Sequence, residues 1–165
     1  MSITPYFYVE KYSHQTKKYE LQHPFVWDYN HTKHVIADLY PYQGDHDLFS
    51  IIGNDVGEYD FPYMFGIHGG LPKDVSKEIR EEYDSFCFNY EINENVRSYT
   101  PKVYYFTYAD MYIYCLEHPE YEDDNGKKNP IPLNRLMNKV NVFLEIMDED
   151  WKEYYSQIRI IYWFE

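Results

Sequence analysis

The first 40 residues carry an apolar and polar pattern that predicts a β-hairpin. Aromatic residues and Val recur across residues 6–12, which is typical of a strand. Residues 13–18 are polar and predict a turn, and residues 19–28 are apolar enough for a returning strand. Because Pro24 cannot donate a ladder hydrogen bond, we expect the second strand to be bent or to lie at a sheet edge.

The next two apolar patterns have helical spacing. Residues 45–53 predict a short helix with one apolar face. Residues 53–70 contain several Gly and are predicted to be irregular. Residues 75–84 predict a second helix, with Asp74 or Ser76 as its N-cap.

A strand that leads directly into a helix is predicted in the middle of the chain. Residues 103–106 form a short aromatic run, and Thr107 is a suitable N-cap for a helix over Tyr108–Glu117. Pro119 ends that helix. Residues 120–132 are rich in turn formers, so they predict a loop that continues neither a helix nor a central strand.

The strongest patterns lie at the end of the chain. Apolar residues recur every three or four positions over residues 133–148, which predicts the longest helix, opened by Pro132. Ile158–Phe164 is a dense run of β-branched and aromatic residues. Such a run predicts a strand that is buried on both faces at the centre of a sheet.

These elements together predict an α+β fold. We expect a small mixed or antiparallel sheet with an N-terminal hairpin and a C-terminal central strand, packed by three to four helices. The length of 165 residues fits one domain spanning residues 1–165. Within it, residues 1–40 form the hairpin, which is a candidate for an added element, and residues 41–165 form the core.

Composition narrows the classes of protein that fit. Aromatic residues make up 21% of the chain and 21 residues are Tyr, which excludes an intrinsically disordered chain. The formal net charge of −13 argues against direct nucleic-acid binding, which needs Lys and Arg against phosphates. The two Cys predict a reducing compartment, and no apolar run or signal-like start points to a membrane or to secretion. We therefore expect a cytoplasmic protein with no membrane association.

The residue clusters that could support chemistry are weak. His31 and His34 have a spacing that suits zinc, but no second pair of ligands follows. Cys87 and Cys115 lack a CxxC motif, and each is expected to be a buried apolar residue. The glycine-rich segment 66–70 lacks the sequence context of a phosphate-binding loop. We therefore predict no metal site, no cofactor, no catalytic residue and a protein that is not an enzyme.

Negative charge and tyrosine are concentrated in the middle of the chain. Residues 41–130 contain eighteen Asp or Glu against seven Lys or Arg, whereas residues 1–40 are neutral overall. Spaced carboxylates can occupy the places that phosphates take in a basic groove, and Tyr is favoured in interfaces. The predicted partner-binding residues are Tyr99, Tyr104, Tyr108, Tyr112, Glu117, Glu120, Tyr121, Glu122, Asp123 and Asp124. The other interpretation is ordinary acidic solubility, with Tyr at half-buried sheet positions.

Four segments resemble motifs of an uncharacterised phage and prophage protein family. Residues 47–52 are similar to its aromatic/Asn-Leu-Phe-Ala-Ile-Leu opening, and residues 70–78 to its Gly-Leu-Pro-x-Asp-Val-Ser-x-Glu motif. Residues 106–110 resemble its Leu-Thr-x-x-Glu segment, and residues 158–165 its C-terminal Val-Arg-Ile-Val-Phe-Trp-Phe-Asp. The family often has His-Ser-His-Ser where residues 101–104 read Pro-Lys-Val-Tyr. The resemblance implies a phage or prophage origin and no defined activity.

The sequence therefore predicts a phage-encoded accessory protein that acts by binding in the host cell. We expect it to inhibit a host defence protein, in the manner of an anti-CRISPR protein, through an acidic, Tyr-rich face that competes with nucleic acid. The expected partner is a basic nucleic-acid-binding host protein. One alternative is an anti-defence protein that sequesters a small ligand or nucleotide with the tyrosines, Arg97 and Lys102. Another is a host-takeover factor without a defence target.

Overall fold

A computed structural model describes residues 5–23, 26–29, 32–35, 46–53, 57, 59–94, 102–147 and 155–164. Within these residues the chain forms four α-helices and nine β-strands. In chain order they are β1 Pro5–Ser13, β2 Lys18–His23, β3 Val26–Tyr29, β4 Thr32–Val35, α1 His46–Ile52, β5 His68–Gly69, α2 Lys77–Glu94, β6 Val103–Thr107, α3 Tyr108–Glu117, β7 Glu120–Glu122, β8 Lys128–Pro130, α4 Pro132–Met147 and β9 Ile158–Phe164.

A five-stranded antiparallel sheet forms the centre of the fold, with strand order β2-β1-β9-β6-β5. Two small antiparallel pairs, β3 with β4 and β7 with β8, lie outside this sheet. The predicted α+β class is confirmed, as are the antiparallel sheet and the central C-terminal strand. The opening hairpin is part of the central sheet, because β1 pairs along its length with β9.

One face of the sheet packs against α1, α3 and α4. Residues of β9 at alternate positions point to this layer, as the period of two in a strand requires. Ile158, Ile160 and Tyr162 are therefore buried in one apolar cluster with these helices. The hydroxyl of Tyr162 donates a hydrogen bond to the Ile52 carbonyl at 2.6 Å, so the one polar atom of this side chain is satisfied.

The other face of the sheet packs against α2. Ile161 and Trp163 of β9 lie against Ile79 and Tyr83 of α2 in a second apolar cluster. The indole of Trp163 stacks on the ring of Tyr8, with 4.8 Å between the centroids. The central strand is therefore covered on both sides, which is why all but one of its residues are apolar.

A buried ion pair crosses the sheet on the α2 face. Arg159 of β9 donates from Nε to Oε1 of Glu10 in β1 at 2.6 Å, and its Nη2 contacts the same oxygen. The Ser76 amide donates to the other Glu10 oxygen at 3.0 Å, and Arg159 Nη1 donates to Asp74 at 2.7 Å. Burial raises the pKa of Glu10, while the positive charge of Arg159 acts in the opposite direction.

Several predicted element boundaries are wrong. The longest helix is α2, with 18 residues, and not α4, which has 16. The predicted strand over residues 19–28 divides into β2 and β3, which pair with different partners. The predicted loop over residues 120–132 contains the β7–β8 pair. Asp74, proposed as an N-cap of α2, binds Arg159 with its carboxylate instead.

Candidate partner-binding surface

The N-terminus of α3 is fixed by a local hydrogen-bonded motif. The Thr107 hydroxyl accepts from the Asp110 amide at 3.2 Å, and the Asp110 carboxylate accepts from the Thr107 amide at 2.9 Å. This capping box satisfies two backbone donors that the helix itself cannot satisfy. The predicted N-cap and both ends of α3 are confirmed.

A tight turn packs directly on this capping box and holds Phe65 out of the molecule. Gly66 has a φ of +86°, and a β-carbon there would lie 2.6 Å from the side chain of Asp110. Glycine is therefore required both by the backbone conformation and by the close approach. Phe65, the preceding residue, is 92% exposed.

The turn is anchored on both sides of Phe65. Met64 is buried and its amide donates to the Ile51 carbonyl at 3.2 Å. The Tyr114 hydroxyl donates to the Pro62 carbonyl at 2.7 Å. Burial raises the pKa of Tyr114 to about 12, so the hydroxyl keeps its proton and remains a donor at neutral pH. A large apolar side chain is thus exposed on a well-supported backbone.

The outer face of α3 continues this apolar surface. Tyr108, Met111 and Tyr114 are buried at helical spacing, so the residues between them point outward. Ile113 is 51% exposed and Leu116 is 63% exposed. Phe65 and Ile113 line one small cavity of about 250 Å³ between the turn and the helix. We call Phe65, Ile113 and Leu116 the α3 patch.

Acidic side chains follow at the end of α3 and in the β7–β8 hairpin. Glu117 lines the cavity beside Phe65 and Ile113, and it is exposed. Glu120 and Glu122 are exposed at alternate positions of β7, while Tyr121 between them packs on other rings. We call Glu117, Glu120 and Glu122 the acidic rim. Glu117 therefore places a negative charge beside the α3 patch, and Glu120 and Glu122 follow it along the chain in the hairpin.

Asp123 organises the hairpin turn rather than presenting its charge freely. Its carboxylate accepts from the backbone amides of Asn125 and Lys127, each at 3.0 Å, and from the Asn129 amide group. These hydrogen bonds lower the pKa of Asp123, with the Lys127 amide as the largest cause. Asp124, its neighbour, is exposed.

The tyrosines that were predicted to bind a partner differ in how far they are buried. Tyr99 lies outside the described residues. Tyr104 is half-buried in β6 and stacks on Tyr162 at 5.7 Å between centroids. Tyr108 lies in the core, where its hydroxyl donates to Asn141, so its side chain is not part of the surface. Tyr112 is partly exposed beside Tyr108, and Tyr121 is half-buried against Tyr59 and Phe61.

Sequence reasoning missed the most exposed part of this surface. Phe65, Ile113 and Leu116 were not among the predicted partner-binding residues. A signal is present for α3, because its apolar residues are spread over more of the helix surface than one sheet can cover. Nothing local distinguishes Phe65 from a buried phenylalanine.

In the described part of the chain, the cysteines and the possible metal ligands do not form a reactive group. Cys115 is buried, and burial raises the pKa of its thiol to about 11, which suppresses the reactive thiolate. Within the described ranges, no three His, Cys, Asp or Glu side chains come together to hold a metal ion. His31 lies outside these ranges, so the absence of a metal stays a prediction.

Over the same part of the chain, no helix has the length and apolarity needed to cross a bilayer. Comparison with protein-family models, with curated proteins and with solved structures gives no match. The resemblance to a phage protein family therefore stays a prediction.

Proposed function

We propose that this protein acts by binding another protein through the α3 patch and the acidic rim. The observation that carries the proposal is Phe65, which is 92% exposed on a turn that Met64, Gly66 and Tyr114 hold in place. Exposed aromatic side chains on a pre-organised backbone are the usual energetic centres of protein interfaces, because little entropy is lost when they bind.

The chemistry of the surface supports one kind of partner. The α3 patch fits an apolar pocket, and the acidic rim fits Lys and Arg around that pocket. A chain with a net charge of −13 also attracts a basic partner over long distances. We propose that the partner is a basic nucleic-acid-binding protein of the host, and that a phage-encoded inhibitor of host defence excludes nucleic acid from it in this way.

The first experiment identifies the partner and tests the patch. The wild-type protein is used to capture proteins from host lysate, and the captured protein is identified by mass spectrometry. The variant Phe65→Ser/Leu116→Ser is expected to weaken binding by about thirtyfold or more, which corresponds to about 2 kcal/mol for a central aromatic residue. The matched control is Phe88→Ser/Ile92→Ser, which removes two similarly exposed apolar side chains from α2.

The second experiment tests the acidic rim. Charge reversal of Glu117, Glu120 and Glu122 to Lys is expected to slow association by about tenfold at low salt, and the effect shrinks as salt is added. The matched control reverses three exposed acids of α2, which are Glu81, Glu82 and Asp84. If the control slows association equally, only total charge matters and the proposed face is wrong. Nucleic acid added to the complex is expected to displace the protein.

A further inference from the structure

A second surface, separate from the α3 patch, is a cleft between the β1–β2 hairpin and the start of α2. Its volume is about 1030 Å³. The hairpin side of the cleft includes Lys17 and Lys18, and the helix side includes Lys77 and Arg80. Four cationic side chains therefore line one cleft of a protein that has only 15 Lys and Arg against 28 Asp and Glu.

Three acidic residues, Glu20, Asp74 and Glu78, line the same cleft, and Asp74 is paired with Arg159. Asp74 accepts from Arg159 Nη1 at 2.7 Å, and Glu20 accepts from the Thr16 hydroxyl at 2.8 Å. The distance from Lys77 Nζ to Glu81 Oε1 is 3.4 Å. Because both side chains are exposed, this ion pair holds Lys77 only weakly. The positive groups outnumber the negative ones around the opening.

The ion pair of Glu10 and Arg159 lies beneath the cleft, and its two opposite charges neutralise each other. The guanidinium of Arg159 lies 3.4 Å from the ring centre of Tyr19, which lines the cleft. This cation–π contact holds the Tyr19 ring in place at the bottom of the cleft. The Glu10 carboxylate already accepts the Ser76 amide, so a ligand here depends on side chains rather than on the helix N-terminus alone.

Ser76 lines the buried edge of the cleft. It is only 5% exposed, and among the described residues its hydroxyl has no hydrogen-bond partner. The hydroxyl is near enough to the Glu10 carboxylate to favour its charged form, so it supports the buried ion pair beneath the cleft.

We propose that this cleft binds a phosphorylated small molecule of nucleotide size. Phosphate oxygens match Lys18 on the hairpin side and Arg80 on the helix side, because Lys and Arg are the side chains that bind them. Tyr12, Leu21 and Val75 form an apolar wall for the uncharged part of the ligand. The volume of the cleft is at the upper end of the range for small-molecule sites. The cleft is therefore too large for phosphate alone.

The test is calorimetric titration of the purified full chain at low salt with ADP, pyrophosphate and adenosine. ADP is expected to bind more tightly than pyrophosphate, and adenosine is expected to bind most weakly. The variant Lys18→Glu/Arg80→Glu is expected to lose at least about tenfold in ADP affinity. The matched control is Lys127→Glu/Lys128→Glu, which makes the same change of charge at two exposed lysines in the β7–β8 hairpin.

Four results decide the matter. Unchanged ADP binding in the control, with loss in the cleft variant and a native circular dichroism spectrum in both, supports the site. Equal loss in both variants means that total charge, and not the cleft, controls binding, and this overturns the proposal. Adenosine binding as tight as ADP overturns the phosphate assignment. Absence of heat for ADP and for pyrophosphate up to about 10 mM also refutes the site.

Discussion

Arg159→Met is expected to destabilise the fold strongly, because it leaves Glu10 without its countercharge. Glu10 is fully buried, and Arg159 donates to it from two nitrogen atoms. Removing one partner of a buried ion pair costs about 3–5 kcal/mol, since the remaining charge is neither solvated nor paired. A domain of this kind is stable by about 5–15 kcal/mol in total, so the loss is a large fraction of it.

The assay is urea unfolding followed by circular dichroism, with ΔG obtained by linear extrapolation. The matched control is Arg80→Met, an exposed Arg of α2, whose unfolding free energy is expected to stay within about 0.5 kcal/mol of wild type. The double variant Glu10→Leu/Arg159→Met is expected to recover most of the loss, because a buried pair can be replaced by apolar side chains. A single variant within about 1 kcal/mol of wild type, or a double variant as unstable as the single one, would refute this reasoning.

The pH dependence supplies a second measurement on the same variant. Burial raises the pKa of Glu10 above its usual 4.5, and the charge of Arg159 opposes that rise. A carboxyl whose pKa is raised in the folded state contributes most to stability at pH values below its pKa in the unfolded chain. That contribution is lost as the pH rises through the pKa of the folded state. Since Arg159→Met removes the opposing charge, the pKa of Glu10 rises further. The variant is therefore expected to lose less stability near pH 4.5 than near neutrality.

Three further predictions concern other parts of the molecule. Truncation after Tyr155 removes β9 and is expected to abolish cooperative thermal unfolding. The variant Ile160→Ala is expected to lower the free energy of unfolding in urea by about 2–5 kcal/mol. A truncated chain that still melts cooperatively would show that the strand is peripheral. Asp123→Ala is expected to shift the amide resonances of the β7–β8 turn in NMR spectra, whereas Asp124→Ala leaves them in place. Because hydrogen bonds lower the pKa of Asp123, its contribution to the turn is present above the usual 3.8 and is lost as pH falls through the folded value; shifts that do not change on acidification would contradict this. Cys115 is expected to resist a thiol reagent in the native protein at mildly alkaline pH, because its pKa is raised to about 11; rapid labelling of the folded chain would disprove it.

The acidic residues of the β7–β8 hairpin have two different roles in the structure. By their position in the sequence, Glu120, Glu122, Asp123 and Asp124 form one group of negative charges among the predicted partner-binding residues. In the structure, Asp123 accepts three hydrogen bonds that close the turn, so its reversal also disrupts the hairpin. The rim variant for binding experiments is therefore built from Glu117, Glu120 and Glu122.

The amino-acid sequence by itself determined the elements whose stabilising contacts are local. The capping box of α3 joins Thr107 to Asp110, three residues apart, so the pattern alone predicts it. The dense apolar run of β9 likewise predicts a strand covered on both faces, because apolar residues occupy both sets of alternate positions. The hairpin formed by β1 and β2 and the α+β class follow from the same short-range periodicities.

Only the tertiary structure decided which apolar and charged residues meet and which remain exposed. Glu10 and Arg159 are 149 residues apart, and they pair because β1 and β9 are neighbours in the sheet. Tyr108 and Phe65 are both large aromatic residues, yet one is in the core and the other is exposed. Their positions depend on which face of α3 the sheet covers and on how the turn packs on Asp110. These are long-range packing contacts, which short-range periodicity does not encode.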